Sequence, residues 1–466
     1  MLDSKFFFRI ENYFLIFSLL FGLFLIIFTP PLQSPDEPAH FSRAYSISEG
    51  HILAKKLNNV SGDFVPASLL NFENELGYLT FKTNKRISFE KIRESSGIIV
   101  HKSDKVFSDQ KYQALYSPLA YFPQSIGIFF AKYFTDSVYW LLFFSKLAML
   151  AFYTIMGYFS IKSIPFLKSL LFLILLMPMS LSMGASVSAD GILICLSVFY
   201  FSKILQYTYS NDNISFKQYL LMMFLAFCLA MVKQSFFLTL FLLFIPLSKF
   251  NNLKFIRIFN NNIFKVLILL IPAFIGALIW SKLSYNLFVP LNNSNPEIQI
   301  QFILSHPFVY LKTLYSTLYL NFIILLYETV GILGWLDVFL FPVTYWIYWL
   351  FLVLNIFFCN SAECRVFSSL FQRILLFGLV LFNIIFISTI IYVSWIQPYV
   401  ISPFEGLQGR YFIPLLLPFF TFLFLIGGRC FGASGFSKIM QFNILLVFFT
   451  YMNLAFGLYI RYYSTF

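Results

Sequence analysis

The segment Ser34-Pro35-Asp36-Glu37-Pro38-Ala39-His40 puts two adjacent carboxylates three or four residues before a histidine. On a helix, Glu37 and His40 would be neighbours at i and i+3. Such a group can hold a divalent metal or supply a general base. The plainer reading is a proline-punctuated helix start, where Asp and Glu suit the positive end of the helix dipole. Four further places carry charge against an apolar background. Asp190 lies in Ser186-Val187-Ser188-Ala189-Asp190-Gly191. It is either a site acid or a simple N-terminal helix charge. Lys233 interrupts the nearly all-apolar run Phe224–Phe244. A cation at the bilayer centre costs about 2.5–3.5 kcal/mol, unless it snorkels from a hairpin. Asp337 closes Gly334-Trp335-Leu336-Asp337, which also reads as an interfacial aromatic with a cap. Arg410, in Gln408-Gly409-Arg410-Tyr411, has the fork that captures phosphate bidentately, and Gly409 would let backbone approach closely. Its plainer reading is a membrane anchor.

The remaining histidines, His51, His101 and His306, are isolated and read as solvated or capping residues. Cys195, Cys228, Cys359, Cys364 and Cys430 show no paired or zinc spacing and read as packing residues. The sequence has no phosphate-binding P-loop, nucleophile elbow, zinc-protease or dinucleotide motif.

These residues need a scaffold, and composition says which kind. Of 466 residues, 59% are hydrophobic, 21% aromatic and 11% charged, against about 25% charged in a soluble domain. Mean hydropathy is +0.79. Apolar runs long enough for about 30 Å of hydrocarbon recur along the chain. Backbone in that solvent must satisfy its own hydrogen bonds, so the runs are expected to be helices. The chain therefore reads as an all-α polytopic membrane protein. The net charge of +12 does not imply nucleic acid, because much of it lies in short loops that set orientation.

About eleven spans are expected: Tyr13–Thr29, Val138–Ser160, Pro165–Met183, Val187–Tyr207, Gln218–Met231, Gln234–Leu247, Phe264–Lys282, Phe339–Phe358, Ile374–Ser394, Tyr411–Ile426 and Ile439–Ile460. Basic clusters at Lys5/Arg9, Lys162/Lys168, Lys249/Lys254/Arg257, Arg365/Arg373 and Arg429/Lys438 share the cytoplasmic side only if Tyr116–Phe134 and Val309–Tyr327 do not cross. Those two are expected to lie in the interface or to re-enter it. Three parts follow: residues 1–30 with the first span, residues 31–137 as an external loop with interfacial helices, and residues 138–466 as a multi-span bundle. The polar outliers then gather on the outer side.

Six segments in this order resemble a family of bacterial membrane proteins catalogued as domain of unknown function 2142. They are Ser34–Phe41 with Arg43-Ala44-Tyr45, Tyr116–Tyr121, Ser188–Gly191 and Lys233, then Gly334–Asp337 and Gln408–Pro414. That family resembles the GT-C superfamily of glycosyltransferases. Those enzymes take sugar from a polyprenyl-phosphate carrier at the outer membrane face and keep an acidic pair after the first span. The resemblance implies a GT-C-like bundle with Asp36 and Glu37 as catalytic acids. The sequence departs from that superfamily in one respect: no large C-terminal soluble domain is expected. Lys233 and Arg410 are expected to bind donor phosphate, whose charge grows as it leaves. His40, Arg43, Tyr116, Asp190, Asp337, Gln408 and Tyr411 are supporting or acceptor-binding candidates. Asp36, Glu37 and His40 are the candidate ligands should a divalent metal take part. The expected partners are a lipid-linked sugar donor, a glycan or lipid-linked acceptor and membrane lipids, in the bacterial cytoplasmic membrane with the site facing outward. Rival readings are a polysaccharide polymerase or ligase and a lipid-linked sugar flippase. A flippase would place its charges near the bilayer midplane in repeated halves, and no repeat is visible.

Overall fold

The computed structural model describes residues 9–233, 236–253, 261–357, 366–428 and 433–464. Gln234, the basic residues Lys5, Lys254, Arg257, Arg365 and Arg429, and Cys359, Cys364 and Cys430 lie outside the described residues.

Among the described residues, seven helices are long and apolar enough to cross a membrane, or eight if one bent pair counts as a span. The first is α1 (Ile10–Phe28). It is followed by α2 (Glu37–Ser48), α3 (Ala67–Leu76), α4 (Phe89–Ser95) and α5 (Phe122–Ala131) in the first loop. The other long ones include α6 (Val138–Ser163), α9 (Ala189–Tyr209), α11 (Asn262–Ser284) and α16 (Leu370–Trp395). The last two are built on α17 (Ile413–Gly427) and α18 (Ala433–Leu458).

Four stretches expected to span are shorter. Pro165–Met183 is broken into α7 (Lys168–Leu176) and α8 (Pro178–Gly184). Pro178 lacks an N–H, and it holds Met177 extended with ψ 134°. Every residue of α8 is buried, so the broken element is bundle core. The others are α10 (Phe216–Met231), α15 (Pro342–Phe357) and a 3₁₀ stretch, Phe236–Phe244.

The two doubtful stretches have definite forms. Helix α5 has 10 residues, about 15 Å at 1.5 Å per residue, too short to cross. Val309–Tyr327 falls in α13 (Pro307–Leu320), which follows the short α12 (Pro296–Ser305), and in α14 (Phe322–Gly331). Helices α13 and α14 are bent by 60° where Asn321 caps α13 by bonding back to Thr317. Both halves touch the same loop: Thr313 donates to Ile401 O, and Thr329 to Gly409 O. Taken together the bent pair is long and apolar enough to be a broken span or a re-entrant loop.

Contacts at the helix ends separate two faces. At one, Gln372 donates to Phe244 O, Lys265 to Phe250 O, and the rings of Phe166, Tyr209 and Phe424 meet. At the other lie the end of α1, the starts of α9 and α17 and the end of α10, joined by the ion pairs described below.

The first loop departs from a purely helical reading. Strands β1 (Lys55–Leu57), β2 (Val60–Pro66) and β3 (Lys105–Asp109) form an antiparallel sheet in the order β1-β2-β3. His51, expected to be solvated or capping, instead pairs with the buried Asp63 of β2 at 2.8 Å.

Candidate functional site

Asp36 is the N-cap of α2, in left-handed backbone with φ +56°, a conformation that Asp tolerates better than most residues. Pro38 in the first turn has a φ already suited to helix. From this turn the polar side chains take different directions. Asp36 Oδ2 lies 3.5 Å from Arg410 Nη2. Arg410 Nε lies 3.4 Å from Asp190 Oδ2, and Asp190 Oδ1 lies 2.5 Å from Lys233 Nζ. Acids and bases thus alternate along one chain, Asp36–Arg410–Asp190–Lys233. Lys233 Nζ sits 5.4 Å from the ring centroids of both Tyr116 and Tyr411, and the Arg410 guanidinium 5.4 Å from that of Tyr411. Aromatic faces attract cations most where water is thin. The side chains of Arg410 and Asp190 are 5% and 7% exposed, whereas that of Asp36 is 43% exposed. Asp36 is the open end of a buried ionic chain.

Each member is fixed by its own element. Asp190 stands in the first turn of α9, capped by Ser188, whose carbonyl accepts from Gln124 of α5 at 2.9 Å. Lys233 follows α10 with φ +49°, and Ser117 of the loop donates to Met231 O at 2.9 Å. Arg410 is placed by Gly409. Its N–H donates to Glu328 Oε2 at 2.7 Å and its carbonyl accepts from Thr329 Oγ1 at 3.1 Å. A Cβ at Gly409 would fall 2.2 Å from Leu325 O and 2.5 Å from Thr329 N, so α14 holds this turn through a contact only glycine permits.

His40 is buried, with Nδ1 2.7 Å from the Tyr121 hydroxyl and its ring stacked by Tyr116. Burial pushes its pKa down to about 4, against the opposing pull of Asp36 and Asp190. It is neutral at physiological pH and able to relay a proton with Tyr121. Burial also raises the Tyr116 and Tyr121 phenols, so both remain protonated donors.

Glu37 points away from this chain. It is fully buried, 3.0 Å from Lys146 of α6, and accepts from Val187 N at 3.1 Å. It ties the start of α2 to the bundle and to the loop before Asp190. Arg43 is also fully buried and donates to His51 O and Ile52 O, holding the loop rather than reaching the ion chain. Asp337 pairs with Arg461 at 2.6 Å and caps Trp335 N. Gln408 precedes the cluster, with its Oε1 buried and lacking a hydrogen-bond partner.

Asp36, Glu37 and His40, the candidate metal ligands, have separate partners here. Among the described residues, no three His, Cys, Asp or Glu side chains converge as ligands. The i, i+3 spacing is real, but Glu37 is taken by Lys146 and His40 by Tyr121.

Sequence reading missed several positioning residues. Lys146 is a cation inside the apolar run of α6, as conspicuous there as Lys233 is in its own run. Glu328, a lone acid ending an apolar stretch, was similarly visible. Tyr121 and Gln124 carried no charge signal.

No curated protein and no solved structure matches the chain. A family profile described as a predicted membrane protein, domain of unknown function 2142, matches residues 19–418. That match runs from within α1 to within α17 and so contains every member of the ion chain. The chain belongs to the domain of unknown function 2142 family of membrane proteins.

Proposed function

We propose that this protein is a membrane glycosyltransferase of GT-C type, with about eleven membrane-crossing segments. It moves a sugar from a polyprenyl-phosphate-linked donor to a cell-envelope glycan at the outer face of the bacterial cytoplasmic membrane. The observation that carries the reading is the partly exposed Asp36 carboxylate beside the Arg410–Asp190–Lys233 chain, in which Arg410 and Asp190 are buried and Lys233 is partly so, at one end of the bundle. A donor tethered to the bilayer must be met at such an end.

In the reaction, the acceptor hydroxyl oxygen bonds to the anomeric carbon and gives its proton to Asp36. The bond from that carbon to the phosphate oxygen breaks, and its electrons leave with the lipid phosphate. Arg410 and Lys233 offset the growing phosphate charge. Asp190 holds both cations in place and keeps the empty site from carrying two unpaired charges, whose burial would be costly. Neutral His40 and Tyr121 orient acceptor groups.

The test is gene deletion followed by mass analysis of envelope glycans and lipid-linked sugars. Loss of one residue type, restored by the wild-type gene and not by Asp36→Asn, is the expected result. Intact repeat units of altered chain length would instead identify a polymerase. An unchanged glycan profile would refute both.

A further inference from the structure

A second site lies away from the ion chain. Asp337, Arg461, Arg86, Thr83 and Asn453 surround a cavity of about 390 Å³, completed by Phe339, Phe341, Phe456 and Ile460. That volume is in the range of ligand pockets, about 300–1,000 Å³. Its two halves differ in chemistry. The apolar half is open to the surroundings: Phe339, Phe341, Phe456 and Ile460 are each roughly half exposed. They stand at the start of α15 and the end of α18, where bundle meets interface. The polar half carries an excess of positive charge. Asp337 is already matched by Arg461 at 2.6 Å, and Arg461 spends its other nitrogens on Lys85 O and Leu79 O. Arg86 has no acid partner among the described residues. Its guanidinium is anchored on Thr83 O, Lys85 O and the Ser464 hydroxyl. The exposed Lys82 and Lys85 lie on the same turn. Asn453 accepts from Phe341 N at 2.9 Å, leaving its NH₂ as a further donor beside the cavity. Close by, Phe81 and Trp335 make an edge-to-face pair at 5.0 Å, the kind of aromatic pair that settles at headgroup depth.

We infer that this cavity binds one anionic phospholipid, with the phosphate on Arg86 and its acyl chain along Phe339, Phe341, Phe456 and Ile460. The ligand is named by charge complementarity: an unmatched guanidinium with two lysines at its rim, above an apolar wall, fits a lipid-borne phosphodiester. The site does not depend on the glycosyltransferase reading, since no member of the ion chain lines it.

The experiment uses the full chain in nanodiscs of phosphatidylglycerol and phosphatidylcholine, with retained lipid counted by native mass spectrometry. Wild type should keep phosphatidylglycerol over phosphatidylcholine. Arg86→Gln should lower that retention about fivefold, as expected for one basic side chain near a membrane surface. Thr83→Glu, an exposed position on the cavity wall, should do the same by repulsion, and it decides the matter should Arg86→Gln misfold. Glycerol phosphate added in excess should displace little of the lipid, because it lacks the acyl contact. Equal retention of the two lipids, unchanged retention in Thr83→Glu, or full displacement by glycerol phosphate would each overturn the assignment.

Discussion

Asp36 and Glu37 are adjacent acids with divergent surroundings, and their variants should fail differently. Asp36 is half open and faces Arg410. Asp36→Asn should therefore fold and insert normally while transfer falls by about 10²–10⁴-fold, the usual cost of a lost base. Near-normal activity at wild-type expression would end its catalytic role. Glu37 is buried against Lys146. Glu37→Ala leaves an uncompensated cation, a loss of about 3–5 kcal/mol, and should appear as poor expression. The pair Glu37→Gln with Lys146→Met removes both charges while keeping an acceptor for Val187 N–H, and should recover folded, active protein. If the double variant is folded and inactive, Glu37 does chemistry after all. His40 adds a pH signature. Its folded pKa of about 4 lies below the ordinary 6.5, so between those values the unfolded chain binds more protons. Stability should be complete above pH 6.5 and should decline as pH falls toward 4. His40→Gln cannot take up that proton, so its melting temperature in detergent should decline less across this window than that of wild type. Equal declines would contradict the burial account.

At the scale of elements, the site depends on how α14 grips the turn before α17. Gly409 contributes no side chain, yet its backbone is bonded to Glu328 and Thr329 at once. Gly409→Ala pushes a methyl group into Leu325 O. Overpacking of this kind costs about 1–3 kcal/mol, and it should also move Arg410 off Asp190. Melting temperature and donor affinity should fall together. Gly378→Ala on α16, where a Cβ meets nothing within 4 Å, is the matched control and should be neutral. Similar behaviour of the two variants would remove α14 from the account of the site. The break at Met177–Pro178 is a second element-level feature. It ends α7 and starts α8 inside the core, and the chain then returns through Val187, the residue whose N–H is held by Glu37.

For the whole molecule, the contacts sort helix ends into two faces, and the proposed orientation places the Asp36 face outside. Single cysteines at exposed Ser103 in the first loop and exposed Asn252 between Phe250 and α11 test this, in a background lacking the native cysteines. An impermeant thiol reagent on intact cells should label position 103 and not position 252. The reverse pattern would invert the protein in the membrane and place the ion chain in the cytoplasm. The bent α13–α14 pair lies after both positions, and a crossing there would exchange the sides of everything that follows it, Arg410 included.

Much of this architecture was legible in the linear chain because the bilayer is a severe solvent. It demands long apolar helices and penalises stray charge, so α1, α6, α9 and α16 were located within a few residues, and Asp190, Lys233 and Arg410 stood out against their runs. The residues alone gave their convergence with Asp36 only as a shared side of the membrane, and the resemblance alone implied one common site. The alternation of acid and base along one chain came from the packing of α9, α10 and α17, whose ends are brought together by contacts distant in sequence. The same long-range packing separated Asp36 from Glu37, gave Asp337 to Arg461, and built a three-stranded sheet in a loop whose composition carried little periodic signal. Spacing along a helix says which side chains are neighbours on that helix. Which partner each one finds is decided by the element packed opposite, because a buried charge takes whichever opposite charge or hydrogen-bond donor the fold places within reach.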